Sequence, residues 1–448
     1  MNKPRNDESR SFKLITLGCK VNQYESACFN EAFSEAGLRQ GKGDDTCDLI
    51  VVNTCIVTLR AAHQSRQAIR KAIRENPGAY VAAIGCYAQA YPEEIQAIDG
   101  VNLVVDNRSK LEVIDTVLNA GNSKEQVSAL RAFEENTPFD FLQINRFPGR
   151  ARAYLKIQDG CRSFCSYCIV PMTRGPYRSL SPENVLSALH AFSENGHKEV
   201  VLTGIHLGKY GLDLPGEQNL VALLRAIGKE GFPLRIRLSS LEPNEIEMEL
   251  MEMVASRDWL CRHFHIPLQS GDDGVLKRMN RTYPSAVFKK VVETLYELIP
   301  DVGIGVDVMT GFPGEDPVAH RNSYSLIQDL PVSYLHVFPF SPRPGTRAWD
   351  FEGRIDPATL KERAAELRVL SLEKKRRFYR DCLKKRYPVL IEGVDSSREG
   401  FMKGTSDNYL PVFFPGNMAL KGEIVQVRME RVEENVVVGS IASLKFEI

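Results

Sequence analysis

Short apolar, β-branched runs alternate with longer amphipathic stretches along most of the chain. Over residues 11–120 the runs at 12–17, 49–54, 80–85 and 101–105 predict strands, and the stretches near 23–36, 60–75 and 109–119 predict helices. Strands that alternate with helices predict a small doubly wound α/β domain. The periodicity fades over 121–150, which reads as a linker. From 151 it resumes, with strands predicted at 153–158, 199–203, 234–239, 263–268, 303–309 and 334–339 and helices between them, such as 182–195 and 284–298. Six such units predict a partial (β/α)6 barrel, whose chemistry belongs on the loops after the strands. From Tyr387 the pattern changes to short alternating segments at 389–392, 410–413, 423–428 and 436–440, the signature of a small antiparallel β-barrel. The fold class is therefore α/β with a terminal all-β module.

Composition narrows this little. The 448 residues are 43% hydrophobic and 25% charged, with 57 basic and 57 acidic side chains, which excludes a disordered chain and a globally basic nucleic-acid coat. No apolar run approaches the ~18 residues that would span a bilayer, and residues 1–10 are polar, so neither a membrane span nor a secretory signal is expected and the location expected is cytoplasmic. Local charge is uneven. Residues 361–386 read as one long helix with eleven Lys/Arg against four acids, and residues 146–178 hold seven against Asp159 alone. Both are candidate phosphate-facing surfaces, although most charge runs are simply solvated faces.

The cysteines carry the chemistry. Cys161, Cys165 and Cys168 form C-x3-C-x2-C, three thiols within eight residues. A structural zinc site usually closes with four ligands. A cubane [4Fe–4S] cluster held by three thiolates keeps one iron free for another ligand. Cys19, Cys55 and Cys86 are far apart in sequence, yet each follows a predicted strand. They fall at the carboxyl edge of the sheet, where α/β folds gather ligands. Position alone leaves two readings for this second trio: a second cluster, or ordinary buried thiols. Cys28, Cys47, Cys261 and Cys382 show no pattern and read as packing residues.

Leu17-Gly18-Cys19-Lys20-Val21-Asn22-Gln23-Tyr24-Glu25-Ser26, Asn53-Thr54-Cys55 and Gly85-Cys86-Tyr87-Ala88-Gln89 resemble the amino-terminal domain of radical S-adenosylmethionine (SAM) methylthiotransferases. Ile157 to Gly175 resembles the start of their radical-SAM core. Leu202 to Gly208, Arg237 to Pro243, Pro267 to Gly271, Gly311 to Glu315 and Ser341 to Thr346 resemble later barrel motifs, and the terminal barrel is similar to a TRAM domain. The resemblance implies boundaries at 11–122 for the amino-terminal domain, 123–146 for a linker, 147–378 for the core and 379–448 for the TRAM-like module.

It implies two [4Fe–4S] clusters, on Cys161, Cys165 and Cys168 and on Cys19, Cys55 and Cys86. The first would bind SAM and cleave it to a 5′-deoxyadenosyl radical, and the second would present the sulfur. Tyr167, Thr203, Gly204, Ser240 and Gln269 would contact SAM. Arg174, Arg178, Lys374, Lys375, Arg376 and Arg377 would contact RNA. Gly18-Cys19-Lys20-Val21-Asn22-Gln23 with His336-Val337-Phe338-Pro339 is similar to the branch that adds methylthio to C2 of N6-threonylcarbamoyladenosine at tRNA position 37. N6-isopentenyladenosine and a ribosomal-protein aspartate are the alternative substrates. A tRNA, a reduced flavodoxin or ferredoxin, and a sulfur source are the implied partners.

Overall fold

The computed structural model describes residues 10–119, 127–135, 137–142, 144–147, 149–395 and 398–443. The polar start at 1–9, positions 120–126 around the expected linker boundary and the final residues of the TRAM-like module lie outside the described residues. The chain divides into two compact units. One holds residues up to 144 with 159–162 and 168–178, and the other holds the rest.

The first unit is built on a parallel sheet of β1 (Ser11–Thr16), β2 (Arg39–Gln40), β3 (Leu49–Thr54), β4 (Tyr80–Gly85), β5 (Leu103–Val105) and β6 (Val127–Ala129), in the order β2-β1-β3-β4-β5-β6. Every residue of β3 is buried, because helices cover both faces of the sheet. Leu49 and Val51 pack with Phe29 and Phe33 of α1 (Lys20–Glu35). Ile50 and Val52 pack with Ala62 and Ile69 of α2 (Leu59–Glu75). Side chains alternate sides along a strand, so one apolar run serves two cores. The Thr58 side chain starts α2 by accepting from Ala61 N. Two strands were not foreseen. β2 is two exposed residues, and β6 lies in the segment read as linker, with Leu103 opposite Val127. Neither has a hydrophobic run to announce it; backbone pairing alone defines them.

In the second unit the six expected strands form two parallel three-stranded sheets. β7 (Arg152–Lys156), β8 (Glu199–Thr203) and β9 (Arg235–Leu238) make the first, with β8 central. β10 (His263–Gln269), β11 (Gly303–Thr310) and β12 (Tyr334–Pro339) make the second, with β11 central. The terminal module is a closed barrel of β13 (Arg386–Val394), β14 (Phe401–Ser406), β15 (Pro411–Pro415), β16 (Ile424–Glu433) and β17 (Val436–Ser443). It is antiparallel at four seams, but β15 and β17 run parallel, which corrects the all-antiparallel expectation. β14 was also missed; glycine and serine interrupt its apolar alternation.

The long basic helix spans Pro357–Asp381, not 361–386. Asp356 caps its start by accepting from Ala358 N and Thr359 N. Past its end Lys384 takes φ +68°, and Arg386 opens β13, so Lys384, Lys385 and Arg386 are not on the helix. The terminal barrel is tied to the strands of β8 and β9 by buried charge. Glu199 Oε2 accepts from Arg235 Nε at 2.7 Å, and its Oε1 from Arg237 Nε at 2.8 Å. The same guanidiniums donate to the carbonyls of Pro388, Thr405, Ser406 and Asp407 at 2.8–3.0 Å. Tyr409 stacks on His263 at 4.3 Å beside them. Among the described residues no helix is long and apolar enough to cross a membrane.

Candidate iron–sulfur sites and their surroundings

At the carboxyl edge of the first sheet, Asn22 reaches from α1 to two strand ends, donating to Leu17 O at 2.7 Å and Thr54 O at 3.1 Å. This brings the Cys19 turn to the end of β3. Gly18 adopts φ +98°, and a Cβ there would sit 2.9 Å from the Cys55 Cβ and 3.0 Å from its Sγ. Only glycine fits, since a side chain would be strained and would strike the thiol. Burial, reinforced by the nearby Cys86 and Cys19, pushes the Cys55 thiol up to about 12. Cys19 is exposed to water, yet loss of hydration raises its thiol as well. Cys55 feels both Cys86 and Cys19, and Cys19 feels Cys86, so the second trio converges as one group.

Cys86 opens the short helix α3 (Cys86–Ala90), and its Sγ accepts from Arg174 Nε at 3.3 Å and Asn107 Nδ2 at 3.6 Å. Arg174 ends α4 (Val170–Arg174) and is 1% exposed. It donates to Glu25 Oε1 at 2.6 Å, Asn22 Oδ1 at 2.6 Å and Asp159 Oδ2 at 3.2 Å. Burial works against its charge, but Cys86, Glu25 and Asp159 hold it well above the usual arginine range. Arg178 is also buried and donates to Arg174 O at 3.0 Å. Lys374 is buried on the long helix, with its ammonium on Leu330 O at 2.7 Å. These three were expected to face phosphate. The structure corrects that, because their charged ends are enclosed and occupied by protein acceptors. Arg376 and Arg377 are exposed and Lys375 is half-buried, so the helix keeps a solvent-facing basic edge. Arg174→Met is expected to destabilise the first unit by about 3–5 kcal/mol, the cost of leaving buried carboxylates uncompensated. Urea unfolding of the purified variant checks this; a change under about 1 kcal/mol would show that Arg174 is dispensable to the fold.

In the first trio, Cys161, Cys165 and Cys168 are partly accessible and none is in a disulfide. Cys161 N donates to Gly175 O at 3.0 Å. Gly160 has φ +77°, and a Cβ there would lie 1.7 Å from Pro176 O, so the chain before the first cysteine admits only glycine. In the second unit, Asn280 Nδ2 donates to the carbonyls of Ser163 at 3.2 Å and Phe164 at 3.1 Å. Arg281 Nη1 lies 3.4 Å from Cys165 Sγ. Arg281 is itself fixed by Glu242 and by the Tyr283 hydroxyl at 2.7 Å. Thus each trio has one sulfur that accepts an N–H from an enclosed arginine. Hydrogen bonds to sulfur suit a thiolate ligand and tune a cluster held on it. The donor sets fit [4Fe–4S] clusters. Sequence reasoning missed Arg281, whose only signal was its basic side chain two residues before Tyr283, and placed Arg174 on RNA.

The expected SAM contacts are all in the second unit. Thr203 is buried at the carboxyl end of β8. Gln158 Oε1 accepts from His206 N at 2.7 Å, and a Cβ on Gly204 would lie 2.9 Å from the same oxygen. The Tyr167 ring meets Phe312 edge-on at 6.4 Å. Gln269, at φ +63°, has a buried Oε1 with no hydrogen-bond partner among the described residues, an acceptor open to a ligand. Ser240 is exposed. A further group was not foreseen: His265 Nε2 and His336 Nδ1 lie 2.8 and 3.3 Å from one Asp307 oxygen. Burial opposes the Asp307 charge, but the two imidazoles hold this carboxyl well below the usual range.

Residues 155–326 match the Radical SAM superfamily, residues 11–106 match uncharacterized protein family UPF0004, and residues 380–442 match the TRAM domain. The chain is 37% identical to a Bacillus subtilis threonylcarbamoyladenosine tRNA methylthiotransferase, over 92% of each chain. It belongs to the radical-SAM methylthiotransferase family. An Aquifex aeolicus methylthiotransferase of the same description is 36% identical, over 86% of this chain and 96% of the relative. A tRNA-2-methylthio-N(6)-dimethylallyladenosine synthase of Fusobacterium nucleatum is 28% identical, over 96% and 99%. Among solved structures, a radical SAM methyltransferase from Kitasatospora setae with cobalamin and a [4Fe–4S] cluster bound shares the fold, with TM-score 0.55, 15% identity and coverage of 76% of this chain and 77% of that one. As a radical-SAM methylthiotransferase the chain is an enzyme whose cofactors are [4Fe–4S] clusters and SAM.

Proposed function

We propose that this methylthiotransferase adds a methylthio group to C2 of N6-threonylcarbamoyladenosine at tRNA position 37. The observation that carries the substrate is graded similarity. Five relatives described as threonylcarbamoyladenosine enzymes are 32–37% identical, whereas the dimethylallyladenosine synthases are 28–30% identical. In this reading Cys161, Cys165 and Cys168 hold one [4Fe–4S] cluster, and Cys19, Cys55 and Cys86 hold another. When bound, the clusters supply the electron that cleaves SAM and the site from which sulfur is delivered.

The chain's own residues place and shield these groups. Arg281 and Arg174 donate N–H groups to Cys165 and Cys86. Asn280 and Asn22 fix the turns that carry the cysteines. Thr203, Gly204, Gln269, Tyr167 and Ser240 line the SAM position, with Gln269 Oε1 the open acceptor. A carbon–hydrogen bond such as that at C2 is non-acidic, so general-base catalysis does not open it, which is why a radical route is needed. The base leaves its loop stack at a cost of a few kcal/mol. Lys375, Arg376 and Arg377 are the phosphate contacts, beside the TRAM module. A reduced flavodoxin or ferredoxin supplies electrons, a separate donor supplies sulfur, and the reaction runs in the cytoplasm.

Mass spectrometry of tRNA nucleosides from cells with and without the protein tests this. Deletion is expected to remove 2-methylthio-N6-threonylcarbamoyladenosine and accumulate its precursor. Loss of the isopentenyl counterpart instead would overturn the substrate assignment.

A further inference from the structure

The strands β10, β11 and β12 present two unlike faces. Ile266, Val306 and Val308 are fully buried on one. His265, Asp307, Met309, His336 and Phe338 lie on the other and are partly open, which makes it the inner face of the partial barrel. Register sets Asp307 opposite His336, and His265 two residues back on the neighbouring strand, opposite Gly305. Both imidazoles meet the same Asp307 oxygen, at 2.8 Å from His265 Nε2 and 3.3 Å from His336 Nδ1. Side-chain exposure rises from 14% at His265 and 19% at Asp307 to 50% at His336. The group is therefore graded, anchored at His265 and open at His336.

Asp307 spends its charge on two N–H donors. That contact fixes which His336 nitrogen faces inward: Nδ1 meets Asp307, and Nε2 is turned away from it. Phe338, two residues on and 40% exposed, places its ring 6.4 Å from that of His336. The open end thus offers a nitrogen donor beside an apolar wall, with a single carboxylate behind two imidazoles.

We propose that His336, held by Asp307 and His265, forms the subsite for the carboxylate of the threonylcarbamoyl substituent on the substrate base. His336 gives its Nδ1–H to Asp307, so it meets that carboxylate through Nε2 by taking up one proton from solvent together with the anion, and Phe338 packs against the aliphatic part. This rests on the substrate reading above. A dimethylallyl group has no anion to offer, so the subsite separates the two adenosines by a charged hydrogen bond that only one can make. The same three protein atoms could instead hold a divalent cation, which the experiment distinguishes.

The test measures binding of anticodon stem-loops to the reconstituted holoenzyme. One RNA carries N6-threonylcarbamoyladenosine, and the other carries its methyl ester, which lacks the charge. The native enzyme is expected to prefer the acid by roughly 10- to 100-fold, the range of a hydrogen bond to a charged group. In His336→Ala that preference should fall below about threefold, and His336→Gln, which keeps an N–H, should recover part of it. Equal affinities in the native enzyme, or an undiminished preference in His336→Ala, overturns the subsite. So does one non-iron divalent ion per chain that is lost in Asp307→Asn, which would mark a metal centre. Nucleoside analysis from cells judges the substrate itself independently: intact threonylcarbamoyl-specific methylthiolation with no acid preference strikes only the subsite.

Discussion

Replacing Cys161, Cys165 and Cys168 together by alanine is expected to remove about four of about eight bound irons, one cubane's worth. It should reduce 5′-deoxyadenosine release from SAM at least about a thousandfold, about 4 kcal/mol of barrier at 1.36 kcal/mol per decade. Replacing Cys19, Cys55 and Cys86 together is expected to remove the other four irons and abolish methylthiolation, yet leave reductive cleavage of SAM in place. The asymmetry is the content of the prediction. Neither trio is in a disulfide and each has an arginine N–H on one sulfur, so neither chemistry nor local contacts alone says which cleaves SAM. The division follows from their placement. Cys161, Cys165 and Cys168 lie within residues 155–326, which match the Radical SAM superfamily, whereas Cys19, Cys55 and Cys86 lie within the UPF0004 match at 11–106. Iron analysis with anaerobic assay of 5′-deoxyadenosine decides it. Full iron retention in either triple variant would remove that trio from the cluster ligands, and lost SAM cleavage in the second would invert the roles.

Much of this arrangement was legible before any coordinates. The buried strands β3, β4 and β8 were found at their observed bounds, because an apolar run between turn residues has few alternatives. The six cysteines stand out in the sequence because three follow glycine or a strand end and three are packed into one short loop. Elements without an apolar run were not legible. β2, β6 and β14 carry no sustained hydrophobic pattern. Charge misled in a physical way. The excess of arginine around the cysteine loop suggested phosphate, but sequence does not show where carboxylates converge. Arg174 meets Glu25 from 149 positions away, so the pair is visible only in the fold. His265, Asp307 and His336 sit on three different strands, and nothing local links them until the register does.

Glu199→Gln is expected to destabilise the second unit by about 3–5 kcal/mol and to loosen the terminal barrel first. Glu199 is fully buried and is the acidic partner of Arg235 and Arg237, with Arg152 3.3 Å away. Glutamine keeps the shape and removes the charge. Arg152 retains Glu392, but Arg235 and Arg237 are left as buried cations on neutral carbonyls. Those carbonyls belong to residues 388 and 405–407, so strain in the arginines passes straight to the module that stacks Tyr409 on His263. Hydrogen exchange should therefore quicken over 386–443 before it quickens over β10 and β11.

The effect has a definite pH dependence. Burial alone would raise the Glu199 carboxyl, but Arg237, Arg235 and Arg152 together hold it far below the usual range. A carboxyl depressed in the folded state stabilises above its unfolded pKa of about 4.3, and that contribution fades as pH falls toward the folded value. The native enzyme and Glu199→Gln should thus differ most at neutral pH and converge below about pH 4. The exposed pair Arg225–Glu249 is the control, where Glu249→Gln should cost no more than about 1 kcal/mol. If both substitutions cost the same, the buried carboxylate does not hold the terminal barrel. If the Glu199→Gln cost is constant with pH, the loss is one of packing rather than charge.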